Sequence, residues 1–71
     1  MSESVYKVIE LIGTSKDSWE KAAASAVSRA SKTLRDLRVA EVVKLDMQLD
    51  ETGRIEAYRA KLKISFKFEG T

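Results

Sequence analysis

Residues 54–69, RIEAYRAKLKISFKFE, decide the fold. Tyr58, Ala60, Leu62, Ile64, Phe66 and Phe68 share one face, and Arg59, Lys61, Lys63, Ser65 and Lys67 share the other. A period of two marks a strand with one buried face. The tetrad before it, Asp50-Glu51-Thr52-Gly53, reads as a hairpin loop in which Gly53 supplies a positive φ. Upstream again, residues 39–49 (VAEVVKLDMQL) alternate Val43, Leu45, Met47 and Leu49 with Lys44, Asp46 and Gln48, a second strand. Matching the apolar faces places Val43 opposite Ala60, Leu45 opposite Tyr58 and Leu49 opposite Arg54. Lys44 then opposes Arg59, with Asp46 diagonal to it. A slip of one residue would set Leu45 against Arg59 and expose an apolar face.

The segment from Ser15 to about Leu37 has a different period. Trp19, Ala22, Ala23, Ala26, Val27, Ala30, Leu34 and Leu37 recur at three- and four-residue steps, one stripe of a long helix. The alanines in its middle imply close approach to a sheet, and Trp19 falls on the core side. Thr14 or Ser15 is placed to cap it, with Asp17 in the first turn, where the helix dipole favours negative charge. Its polar face carries Arg29, Lys32 and Arg35 together with Ser25, Ser28 and Ser31. That serine-rich face suits a second subunit or a water-filled interior, and equally an ordinary solvated surface. Residues 5–12 (VYKVIELI) read as the first strand, broken by Gly13-Thr14-Ser15.

The order is therefore β-α-β-β, an α+β fold with a three-stranded antiparallel-type sheet on one long helix. The last strand is the longest and belongs between the other two. It outruns the helix, so apolar surface near Phe66 and Phe68 must find another subunit. The strand edges also need cover, and closed symmetry supplies both.

Composition points the same way. At 71 residues the chain makes one domain, residues 1–71, too small to be comfortably stable alone. There is no Cys and no His, so disulfides, thiolate and imidazole metal sites, and Ser-His or Cys-His catalysis are all excluded. Oligomerisation is the remaining source of stability. Thirteen basic residues against eleven acidic give a formal +2, without the basic bias of a nucleic-acid binder. No apolar run approaches the roughly 20 residues of a membrane span. Met1 to Ser4 do not resemble a signal peptide, and a cytoplasmic protein is expected. Gly13-Thr14-Ser15 is no phosphate loop, since it holds one glycine. Asp46 and Asp50 are the nearest thing to paired carboxylates, and nothing puts them in a cleft. No enzyme is expected.

Three stretches, VYKVIELIGTS at 5–15, RASKTLRDL at 29–37 and SFKFE at 65–69, resemble the dodecin family across essentially the whole chain. The resemblance implies small β-α-β-β subunits assembled into a hollow homododecamer. It also implies storage or buffering of a small ligand, often flavin (FMN or riboflavin) stacked on tryptophans, and in some bacterial members coenzyme A. The family's stacking Trp falls here at Val39 and the Phe after it at Ala40. Its later basic residue falls at Asp46, the next Gly at Met47, and its flavin-bonding Gln at Arg59. The aromatic platform for an isoalloxazine ring is thus absent. The stretch RVAEVVKLDM at 38–47 looks instead like a subgroup described as calcium-binding, which makes Asp46 the candidate metal ligand. Glu41, Asp50 and Glu51 are further acids without that support, and Lys44 and Arg59 oppose a tight cation site. The family's coenzyme A contacts fall at Arg29, Thr33, Leu34, Arg35 and Lys67, a set that suits phosphates without singling them out. Twelve copies at +2 would carry a formal charge of about +24 and favour a small anionic ligand.

Overall fold

A computed structural model describes residues 3–68. Four elements follow in order: β1 (Tyr6–Ser15), α1 (Trp19–Ser31), β2 (Leu37–Leu49) and β3 (Ile55–Lys67). The sheet order is β1-β3-β2, with both outer strands antiparallel to β3, so the β-α-β-β architecture and the central third strand stand. The expected reach of β3 to Glu69 lies outside the described residues.

β1 does not break at Gly13. It continues to Ser15, and Gly13 sits mid-strand opposite Ala60, where the strand passes under α1. A Cβ at Gly13 would collide with the Ala22 carbonyl oxygen and lie 3.1 Å from the Ala26 Cβ. A hydrogen in place of a side chain is what lets strand and helix touch.

The helix is shorter than its apolar stripe. Its N-cap is Ser18, extended in backbone, whose hydroxyl oxygen accepts the Lys21 N–H at 3.1 Å. Ser15 instead accepts the Asp17 N–H in the turn before it. Asp17 therefore precedes the cap, and Glu20 occupies the first turn. At the other end the Thr33 and Leu34 N–H groups both reach the Ala30 carbonyl. Asp36 then turns the chain at φ 60, a left-handed conformation that Asp tolerates better than most residues. Leu34 and Leu37, which extend the stripe in sequence, pack on the core from the turn and from β2.

The core is small: Ala22, Ala26 and Ala30 of α1 against Ala60, Leu62 and Ile64 of β3. Leu11 and Ile9 close it from β1. Hardly any of β2 is covered. Val42, Leu45, Met47 and Leu49 are between 43 and 55 % exposed. Phe68 is half exposed as expected, but Phe66 is not. The larger overhang lies at the opposite, hairpin end, where Leu49 and Ile55 project past Trp19 and the start of the helix.

The β2–β3 register differs from the expected one by two residues over Lys44 to Gln48, and by one over Val39 to Val42 and at Leu49. Leu45 faces Ala60, Asp46 faces Arg59, Met47 faces Tyr58 and Lys44 faces Lys61. Irregularities between Leu37 and Val39, between Val42 and Lys44, and beside Leu49 absorb the difference. The loop is the physical reason. Asp50 takes the N–H groups of Thr52 and Arg54 and the Thr52 hydroxyl on one carboxylate oxygen, and its own N–H goes to the Arg54 carbonyl. These bonds make Arg54 part of the loop, and Leu49 pairs with Ile55.

The radius of gyration is 14.8 Å and the long axis 56 Å. A compact chain of this length has a radius of about 11 Å. The subunit is an extended hairpin carried on a small core.

Candidate functional site

The face of the sheet turned away from α1 is charged. Arg59, Lys61, Lys63 and Lys67 of β3 lie on it, and Asp46, Lys44 and Glu41 of β2 pair across to them. Asp46 and Arg59 stand directly opposite rather than diagonal. Arg59 grips both carboxylate oxygens, Nε to Oδ1 at 2.7 Å and a terminal nitrogen to Oδ2 at 3.0 Å. Such a two-pronged contact is the strong form of the pair. The Arg59 hydrogen bond holds the Asp46 carboxyl below the ordinary carboxylate value, with its charge and that of Lys44 adding to the effect. The same bond raises Arg59.

The backbone of Asp46 is held from the other side. Trp19, at the start of α1, donates its indole N–H to the Asp46 carbonyl at 3.0 Å and meets Tyr58 edge-on at 5.0 Å. Trp19 is half-buried rather than deep in the core. It caps a groove of about 370 Å³ against Ala23, Val42 and Leu45.

The expected ligand residues do not meet within one subunit. Asp46 and Arg59 are joined. Met47, opposite Tyr58, is on the helix face of the same row. Val39 pairs with Ser65 and Ala40 with Ile64, far up β2, so seven residues of strand put Val39 about 23 Å from Asp46. Val39 is 60 % exposed and offers no ring. Trp19 is no substitute, being committed to Asp46 and Tyr58.

The coenzyme A set is partly gathered. Thr33, Leu34 and Arg35 lie in the turn after α1, and the Lys67 N–H reaches the Asp36 carbonyl at 3.1 Å, fastening the end of β3 to that turn. Leu34 is packed on the core, so it supports the turn. Arg29 faces elsewhere, into a cleft with Thr14 and Ser25 beside β1.

Calcium takes roughly six to eight oxygen ligands. Among the described residues no group of three or more acidic side chains is placed to hold a metal. Asp46 stands among Arg59, Lys44 and Lys61. Asp50 spends its carboxylate on the loop. The donors of one subunit do not fit calcium, and a calcium site would need oxygens from several.

Ile12 and Lys61 escaped the sequence reading as site residues, and Lys44 entered it only as a charge opposing a cation. With Asp46 and Arg59 they line a cleft of about 120 Å³ on the outer face. Lys44 was placed opposite Arg59, which hid its true neighbour. An allowance for a bulge in the Val42-Val43 pair is the signal that would have found it.

A family profile described as Dodecin matches residues 5–69. The calcium dodecin of Mycobacterium tuberculosis is 58 % identical over 64 residues, spanning 90 % of this chain and 89 % of the relative. A dodecin of Thermus thermophilus is 40 % identical over 67 residues, spanning 94 % and 96 %. Among solved structures, dodecin from Streptomyces coelicolor superposes with a TM-score of 0.90 at 38 % identity over the full length of both chains. The M. tuberculosis calcium dodecin, described as a calcium-chelating antigen with a novel calcium-binding site, superposes with a TM-score of 0.83 at 54 % identity over 96 % of each chain.

Proposed function

The chain belongs to the dodecin family, and on that footing we propose that it is a non-enzymatic binding protein that self-assembles and stores a small ligand between subunits. The whole chain, 1–71, acts as one domain, twelve copies close into a hollow shell, and the shell works in the cytoplasm. One observation carries this reading: Val39 and Ala40 are separated from Asp46, Met47 and Arg59 by a strand length that no single subunit can fold away. The exposed apolar face of β2 supports it, because an isolated subunit would leave Val42, Leu45 and Met47 in water.

The M. tuberculosis relative makes calcium the first candidate ligand. Asp46 would then contribute one carboxylate to a site shared by several subunits. Flavin is disfavoured by the lack of a ring at Val39 and Ala40, and coenzyme A is left with the basic end formed by Arg35 and Lys67.

Native mass spectrometry of the purified protein, alone and with calcium, FMN and coenzyme A, tests the proposal. Twelve subunits with retained ligand mass are expected. A monomer or dimer sinks the shell and the shared pocket together.

A further inference from the structure

We propose that the cleft lined by Ile12, Lys44, Asp46, Arg59 and Lys61 binds a small phosphate-type anion between Lys44 and Lys61. The proposal rests on the reading of the chain as a ligand-binding protein and names a ligand class for the outer face of its sheet.

Lys44 and Lys61 stand directly opposite each other on β2 and β3. Like charges in that position repel and cost stability. Lys61 has only a loose partner, Glu10 at 3.7 Å on the β1 side. The one acid in the cleft, Asp46, is already held by both prongs of Arg59. Three cations and one spoken-for carboxylate leave an excess of two positive charges in a concavity of about 120 Å³. An anion seated there relieves the lysine pair and accepts charge-assisted hydrogen bonds from both ammonium groups. Ile12, opposite Lys61 on β1, supplies an apolar wall on the third side. The cleft has room for a phosphate group.

Asp46 sets how strong the site is. While it holds Arg59, that guanidinium is withheld from the anion. Removing its charge frees a third cation for the same cleft. Asp46→Asn therefore tightens anion binding, whereas Lys61→Gln weakens it. General charge alone gives the same two signs, so the size of each change, not its sign, marks the cleft.

The test is isothermal titration of inorganic phosphate into the parent protein, K61Q and D46N, with ionic strength held constant by sodium chloride. Native mass spectra are recorded on the same samples. Phosphate is expected to bind the parent, with the dissociation constant rising about 5-fold in K61Q and falling about 5-fold in D46N. No phosphate heat above chloride in the parent overturns the proposal whether or not the variants fold. So does a dissociation constant unchanged in both variants. The cleft lies within one subunit, so the two readings fail separately. A monomer that still binds phosphate sinks the shell and leaves the anion site standing. A dodecamer that retains another ligand but ignores phosphate sinks the anion site alone.

Discussion

The indole of Trp19 donates to the main-chain carbonyl of Asp46 at 3.0 Å, while the carboxylate of the same Asp46 is gripped by Arg59 on the opposite face of the sheet. The start of α1 is thereby fixed to the middle of β2, a strand the helix otherwise hardly covers. Trp19 also leans edge-on against Tyr58, so its position depends on the strand pair that carries Asp46 and Arg59.

Trp19→Phe keeps a ring beside Tyr58 and removes the indole N–H. The half-buried Asp46 carbonyl then loses its partner. A loss of about 1 kcal/mol is expected in urea unfolding, with little change in far-ultraviolet circular dichroism.

Gly13→Ala and Gly53→Ala make the same change for different reasons. At Gly13 the methyl must displace the Ala22 carbonyl, so strand and helix separate. A destabilisation of about 3 kcal/mol or more is expected, enough to leave little folded protein. At Gly53 there is open space, and only its φ of 84 opposes a side chain. That costs about 1 kcal/mol. Denaturant midpoints of the two variants, measured side by side, check the ordering.

Leu45→Lys places a charge on the uncovered apolar face of β2, in the groove capped by Trp19. The face is already exposed in the subunit, so the fold loses little directly. Association loses much, because the ammonium would be buried unpaired between subunits. Size-exclusion chromatography should show smaller species than the parent.

Acid should weaken the fold through Asp46 and Asp50. Arg59 holds the first carboxyl below the ordinary 3.8, and the Thr52 hydroxyl, followed by the Arg54 and Thr52 N–H groups, does the same for the second. A depressed folded-state value means the stabilisation is complete above the ordinary value and is lost as pH falls through the folded one. Unfolding midpoints should hold from neutral pH down to the ordinary carboxylate value and decline below it. D46N should flatten part of that decline.

Arg59→Gln releases Asp46 from its guanidinium. If the proposed calcium ligand is Asp46, calcium and Arg59 would compete for the same two carboxylate oxygens, and this variant should bind calcium more tightly than the parent, and D46N more weakly. Calcium titration followed by calorimetry reads both.

Much of the fold was legible in the residues. The period of two in 54–69 placed Ala60, Leu62 and Ile64 inside, and the structure buries all three. The alanine stripe from Ala22 to Ala30 predicted close helix–sheet contact, and Gly13 completes it. The helix ends were not legible. Leu34 and Leu37 keep helical spacing by coincidence, since the helix is over at Ser31 and the left-handed Asp36 then turns the chain toward β2. The candidate site was legible only as names. Asp46 and Arg59 came from family resemblance and, as diagonal neighbours, from the expected hairpin register; their direct contact, and the approach of Lys44 to Lys61, came from the observed register.

Amino-acid order by itself determined which face of each strand is apolar, the order of the four elements, and the absence of thiol and imidazole chemistry. Tertiary structure alone decided the pairing. Over Lys44 to Gln48 the slip is two residues, which keeps each side chain on its own face, so hydrophobic alternation cannot distinguish it there from the register first read. The hydrogen bonds of Asp50 in the loop and the irregularities along β2 make that choice, and with it they set a carboxylate against a guanidinium and a lysine against a lysine.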